Sequence, residues 1–330
     1  MFCDAHSLLI SCVLVIDNSW CKRYSIKEYL WVRLIRKESY MPYVIALILL
    51  MICFIIYIIF ENKNLSTTHY QIEQETVPKA LDGMRFVCLT DLHLNTFGKN
   101  NRKLLQQIYA CNPDAILIAG DMVTITSTKR SNIVIDLLTK LAEKYVIYYS
   151  PGNHELRWAN RAKDGDHSFF EYKEKLESLG VYYLDNSEIV EKRGNDILQI
   201  VGLNLSMDYY NKGGKARPLS NEVLTSCIGH KNANAYTILL AHVPDYFERY
   251  VDWGADFILS GHNHGGIMRL WKLGGVISPR YEIFPKYDAG VFKRGHSVML
   301  LSRGLGTHTI PIRIFNRPEL ICVQMKQKTK

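Results

Sequence analysis

Between Met41 and Phe60 the chain reads MPYVIALILLMICFIIYIIF, twenty residues without a charge. At a rise of 1.5 Å per residue such a helix is about 30 Å long, the thickness of a bilayer's hydrocarbon core. A core helix of a water-soluble domain normally keeps a polar face, and this run has none. Residues 41–60 are therefore predicted to form a transmembrane helix. Upstream lie Lys22, Arg23, Lys27, Arg33, Arg36 and Lys37, whereas Glu61 and Lys63 are the only charges just downstream. By the positive-inside rule the N-terminus faces the cytoplasm and the rest of the chain lies outside. No small-residue cleavage site follows, which points to an uncleaved, single-pass anchor in the cell membrane.

Residues 1–40 contain one apolar run, Leu8–Ile16, too short to span, and no clear period or cap. They read either as a poorly structured cytoplasmic tail or as a product of start-site choice, since Met41 is a natural start for an anchor. In the second case most of the charge bias behind the orientation is lost. Residues 61–84 are polar, include Pro78 and Gly83, and are expected to form a linker between bilayer and domain.

From residue 85 the pattern changes. Arg85–Thr90, Ala115–Ala119 and Tyr145–Tyr149 read as buried strands, with helical spacing over Arg102–Ala110 and Asn132–Glu143. Further strands are expected at Leu198–Leu203, Tyr236–Leu240, Phe257–Leu259, Ser297–Leu301 and Leu320–Gln324. Strand and helix alternation followed by a strand-rich end predicts an α/β domain over residues 85–330, an αββα sandwich of two mixed sheets flanked by helices. Composition agrees: 48% hydrophobic and 22% charged residues suit a globular chain and argue against disorder. The formal net charge of +8 suits an anionic partner, or simply solubility and the positive flank of a membrane span. The eight cysteines form no CxxC pair and no Cys/His finger spacing, so neither a zinc ribbon nor a disulfide framework is indicated.

Each early strand ends in a polar cluster: Asp91-Leu92-His93, Gly120-Asp121 and Gly152-Asn153-His154-Glu155. Two more follow later strands, Ala241-His242 and Gly261-His262-Asn263-His264. Open α/β sheets place their ligand sites beyond the carboxyl ends of strands. Asp and Asn supply hard oxygens and His a borderline nitrogen, a donor mixture that suits manganese, iron or zinc better than calcium. A carboxylate such as Asp121 can bridge two cations, and a metal pair can clamp both the attacking and the leaving oxygen of a phosphoryl displacement.

Taken in order, DxH, GD, GNH[DE], H and GHxH resemble the calcineurin-like metallophosphoesterase family. Ser302-Arg303-Gly304-Leu305-Gly306 and Arg317-Pro318-Glu319 resemble its membrane-attached bacterial branch. The resemblance implies a dinuclear site for two divalent metal ions, Mn²⁺, Fe²⁺/Fe³⁺ or Zn²⁺. Asp91, His93 and His264 would hold the first metal, Asp121 would bridge, and Asn153, His242 and His262 would complete the second. His154 would stabilise the phosphoryl oxygens or protonate the leaving group, and a metal-bound hydroxide would be the nucleophile.

A single histidine at a strand end is more often a core or surface residue than a ligand. His6, His69, His167, His230, His296 and His308 carry that reading. Asp91 and Asp121 also suit helix caps or turns, but their joint occurrence with the histidine blocks favours ligation. Glu155 is read as an orienting neighbour; Arg157 and Arg303 suit either a substrate phosphate or a structural charge. Trp158, Phe169-Phe170 and Ile267–Leu273 with Trp271 suit either an apolar lip for a lipid tail or the core. The reaction class is therefore hydrolysis of a phosphodiester, phosphomonoester or pyrophosphate. A lipid-linked substrate rests on analogy to head-group pyrophosphatases of the same family. Two other readings stand beside it. A nuclease or nucleotide phosphodiesterase fits the positive charge but lacks a dense basic run with interleaved aromatics, so a nucleic-acid partner is not favoured. A non-catalytic membrane-bound metal-binding protein would leave the motif residues without a kinetic role. Oligomeric state is not encoded in any of these features.

Overall fold

A computed structural model describes residues 26–124, 128–162, 166–210, 217–270, 272–278, 281–307 and 311–328. Trp271, His6 and His308 lie outside the described residues. The chain divides into two units, up to Tyr57 and from Ile58 onward. Among the described residues the first holds one helix, α1, whose full extent is Ile26–Lys63, with Pro42 inside it. Within its stretch Tyr40–Lys63 an 18-residue window has a mean hydropathy of 3.1, and the stretch is long and apolar enough to cross a membrane. The helix starts well before Met41, so residues 26–40, expected as tail, continue its turns.

The second unit holds two six-stranded mixed sheets. Along the chain come β1 (Ser66–Gln74), β2 (Arg85–Leu89), α2 (Arg102–Cys111), β3 (Ala115–Ala119), α3 (Thr128–Ala142) and β4 (Val146–Ser150). Then follow α4 (Asn153–Ala162), α5 (Ser168–Ser178), β5 (Tyr182–Tyr183), β6 (Ser187–Arg193), β7 (Asp196–Leu203), α6 (Asn221–Ile228) and β8 (Ala235–Ala241). The chain ends with α7 (Phe247–Trp253), β9 (Phe257–Ser260), β10 (Arg269–Leu270), β11 (Gly274–Gly275), β12 (Gly290–Arg294), β13 (Ser297–Leu301) and β14 (Glu319–Gln327). The first sheet runs β1-β14-β2-β3-β4-β5 and the second β12-β13-β9-β8-β7-β6. β2 to β5 are mutually parallel, as are β7, β8, β9 and β13.

Alternation along the strands builds the layers. Phe86 and Cys88 of β2, Leu117 of β3, Ile238 and Leu240 of β8 and Leu259 of β9 meet in the core between the sheets. Val87, Leu89, Ile116 and Ile118 face the other way, onto a core with Leu104, Ile108, Leu137, Leu141 and Leu176 of the covering helices. Leu239 and Ile258 do the same on the second sheet, against Leu224, Phe247 and Tyr250. The result is the expected αββα sandwich. Trp158 and Phe169 belong to the first helix-covered core, their rings 5.8 Å apart, while Phe170 is exposed.

Residues 61–84 are not a linker. Ser66–Gln74 is the edge strand β1, paired in parallel with β14 from Ser66 opposite Glu319 to Gln74 opposite Gln327. Ile72, Val77 and Leu81 are buried in the core between the sheets. The segment reads as polar because β1 has one half-solvated face, so most of its side chains are hydrophilic. Ile72→Ala is expected to cost about 2–5 kcal/mol of stability in denaturant unfolding. A linker residue would leave the midpoint unchanged.

Candidate metal centre

The predicted residues converge where the carboxyl ends of both sheets meet. Asp91 and His93 follow β2, Asp121 follows β3, and Asn153 and His154 open α4 just beyond β4. From the second sheet come His242 after β8, and His262 and His264 after β9. Three groups of potential ligand atoms lie within 4.8 Å of one another: Asp91 with His93 and His264, His93 with Asp121 and His154, and Asp121 with His242 and His262. Asp121 belongs to two of them. Asn153 stands beside His154, buried, and its Oδ1 has no hydrogen-bond partner.

The backbone is bent hard to achieve this. Asp91, His93, Asp121, His262 and His264 have φ of 52°, 48°, 56°, 69° and 50°. Left-handed backbone is uncommon outside glycine, and it clusters at sites where surrounding structure holds it in place. Here the amides of Asp91 and His93 donate to the carbonyls of Gly120 and Asp121, both at 3.0 Å. Gly120 and Gly152 allow the β3 and β4 loops to touch: a Cβ on Gly120 would stand 2.6 Å from the Gly152 nitrogen and 2.9 Å from His242 Nδ1.

Glu155 is the tie between those loops. Fully buried, its Oε2 accepts from the amides of Asp121 (2.9 Å) and Gly152 (3.0 Å), and its Oε1 from Met122 (2.8 Å) and the Tyr149 hydroxyl (2.6 Å). This confirms it as an orienting neighbour. Burial, then the nearby Asp121 charge, raises its pKa, and the hydrogen bonds partly offset that penalty.

The donor set fits a cation. His242 Nδ1 lies 2.7 Å from the Ala119 carbonyl, which only accepts, so Nδ1 carries a proton and, once a cation makes the ring neutral, its sole one. That leaves a bare Nε2 lone pair 3.1 Å from Asp121 Oδ2. His264 repeats the arrangement: Nδ1 faces the Gly306 carbonyl at 3.2 Å, and Nε2 faces Asp91 Oδ1 at 3.5 Å and His93 Nε2 at 3.3 Å. Lone pairs aimed at one another across a buried space call for positive charge between them.

Titration follows the same logic. Burial, followed by the charge of Asp121, lifts Asp91 to about 7. Burial also drives His264 down to about 3, aided by the Arg313 guanidinium, so that ring is neutral and free to ligate. Burial opposes charge on His242, but Asp121 and Asp91 outweigh it and raise the ring to about 10. A proton there substitutes for a cation.

Arg313 is the residue that sequence reading missed. It is 1% exposed, and burial lowers its pKa to about 10. Its guanidinium donates to the carbonyls of Arg303 (2.9 Å), Gly304 (3.2 Å), Gly306 (2.6 Å) and Asn316 (3.1 Å). The loop it grips braces both Asp91, whose carbonyl accepts from the Gly306 amide at 2.6 Å, and His264. Arg303 pairs with Glu319 at 3.1 Å, a structural role.

A family model for calcineurin-like phosphoesterases matches residues 84–266. The chain belongs to that family. It is therefore a hydrolase acting on ester bonds, with a family-typical metal requirement. YkuE of Bacillus subtilis (strain 168), an uncharacterized metallophosphoesterase, is 25% identical over 270 residues, covering 81% of this chain and 87% of its own. A transmembrane protein with metallophosphoesterase domain from Danio rerio is 25% identical over 299 residues, 88% of this chain and 64% of that one. LpxG of Chlamydia muridarum (strain MoPn / Nigg), a UDP-2,3-diacylglucosamine pyrophosphatase, is 23% identical over 287 residues, 74% and 83% of the two chains.

Two outcomes are expected. The folded state of the chelator-stripped phosphoesterase favours protonated His242, whose pKa rises from 6.5 to about 10. That contribution is complete below pH ~6.5 and is lost as pH climbs toward 10. Calorimetry should therefore record a falling melting temperature over this window, with added divalent cation restoring more stability at the alkaline end. Arg313→Met should weaken metal binding by roughly 10–100-fold in chelator-competition titrations.

Proposed function

We propose that the chain is a membrane-anchored, two-metal phosphoesterase. The observation that carries this is Asp121, shared by two groups of potential ligand atoms, with His242 Nε2 3.1 Å from its carboxylate. Asp91, His93 and His264 would hold one divalent cation, Asn153, His242 and His262 the other, and Asp121 would serve both. When bound, the metals neutralise phosphoryl oxygens and acidify water. Mn²⁺, iron and Zn²⁺ all suit the mixed oxygen and nitrogen donors.

His154 lies at the wall of this site. Its amide donates to Asp121 Oδ1 at 2.8 Å, and its ring sits edge-on to His93 with centroids 4.9 Å apart. Carried on α4, it would give a proton to the departing alkoxide oxygen. The Lys/Arg bias upstream of Met41 supports an extracytoplasmic domain on a single-pass anchor. A lipid-linked phosphoester, diester or pyrophosphate, is supported by the anchor and by the diacylated substrate named for LpxG.

The full chain in detergent, loaded with Mn²⁺, should hydrolyse bis-p-nitrophenyl phosphate or p-nitrophenyl phosphate in a chelator-sensitive manner. Asp121→Ala should abolish that turnover. His154→Ala should keep its metal and lose about 10²–10⁴ in kcat. A His154→Ala enzyme with full turnover would remove the proton-donor role. Failure of the folded protein to bind metal would remove the whole reading.

A further inference from the structure

Beyond the GHNH block the chain builds a small substructure outside the two main sheets. β10 pairs with β11, Met268 bridges to Ile314, and Ile277 bridges to Ile283. Residues 311–316, 267–270, 274–278 and 281–284 thus run side by side. Leu273, Tyr281, Ile283, Phe284 and Phe315 of this unit are 66%, 63%, 72%, 49% and 69% exposed. Single exposed apolar residues are ordinary, but a cluster marks a surface that something covers.

The backbone gives a second, independent sign. Tyr281, Phe284 and Phe315 have φ of 64°, 51° and 51°. Bulky side chains rarely adopt this region, where glycine or asparagine would relieve the strain. These turns instead carry aromatic residues that are about half exposed or more, at a conformational cost.

What covers the surface follows from what it is tied to. Phe60 ends the apolar run, and Glu61 is the next residue. The Glu61 carboxylate, 4% exposed, accepts the Asn316 amide at 2.9 Å and pairs with Arg317 at 3.5 Å. Asn62 Nδ2 donates to the Pro311 carbonyl at 2.7 Å. One peptide unit therefore separates the end of the predicted span from a residue fixed to the segment that carries Phe315. The Asn316 side chain, in turn, donates to the His264 carbonyl at 2.8 Å and to that of Gly266. A single asparagine joins the end of the span to a predicted metal ligand.

We propose that Leu273, Tyr281, Ile283, Phe284 and Phe315 form a rim that contacts the lipid surface of the membrane α1 crosses. Aromatic side chains favour the membrane–water interface, and exposed Lys272, beside Leu273, supplies a cation at head-group depth. The rim holds the metal centre beside the layer where lipid phosphoesters lie, so that a substrate can be reached without leaving the bilayer.

The test uses the full chain reconstituted in phosphatidylcholine and phosphatidylglycerol vesicles that contain a lipid with an acyl-chain diazirine. After irradiation, mass spectrometry should find lipid adducts in residues 41–60 and also in residues 281–284 and at Phe315. A variant carrying Tyr281→Asn, Ile283→Ser, Phe284→Asn and Phe315→Asn should lose the rim adducts and keep those of the span. Asparagine tolerates positive φ, so the turns are preserved. Adducts confined to residues 41–60 in the wild-type chain would overturn the proposal. The readout is capture of lipid and not turnover, so it stands or falls separately from the phosphoesterase reading.

Discussion

Asp91 and Asp121 are buried together, one on each of two neighbouring strand ends. Two desolvated carboxylates at close quarters cannot both stay ionised without positive charge among them. Most of the unusual local structure answers that requirement. His242 and His264 turn Nε2 toward the carboxylates, the glycines permit loops to touch, and five ligand residues accept left-handed backbone. Glu155 adds a third buried carboxylate, but this one is satisfied by backbone amides and a tyrosine hydroxyl. The site thus separates carboxylates that organise the chain from carboxylates left to meet a cation.

Much of this was legible because the metal ligands sit at fixed offsets from short buried strands. RFVCLT-DLH, AILIA-GD and YTILLA-H each join a strand signal to donor residues, so a local reading found both the layers and the ligands. What escaped notice was non-local. β1 is hydrophilic on one face and, among the described residues, pairs with β14, more than 250 positions away in its register. Nothing in STTHYQIEQ announces that partner, and polar composition favoured a linker. Arg313 escaped for the same reason: its role is defined by carbonyls of residues 303–306 and 316, which no spacing rule connects to a metal. β6 and β12 are edge strands without a fully buried position, and edges carry the least compositional signal.

The region after the GHNH block has a double function in the architecture. Its backbone, gripped by Arg313, presses Gly304 and Gly306 against Asp91 and Leu92, where no side chain would fit. Its outer turns carry exposed aromatics, and Asn316 ties it to Glu61. Bracing of the metal ligands and attachment to the end of α1 therefore share one short segment. A change that loosens one loosens the other.

Sheet order adds a constraint on assembly. β14 lies between β1 and β2, so the first sheet closes only when the last strand of the chain inserts between two of its earliest. Glu319 opens that strand and holds Arg303 in place. The brace on Asp91 and His264 therefore cannot form until β14 is in the sheet. Long-range pairings of this kind are slow to close because loop entropy must be overcome before the contacts form. His242, His262 and His264 come from the second sheet and the brace on Asp91 from the segment beside β14, so the whole donor set exists only in the finished fold, to which metal binding is coupled.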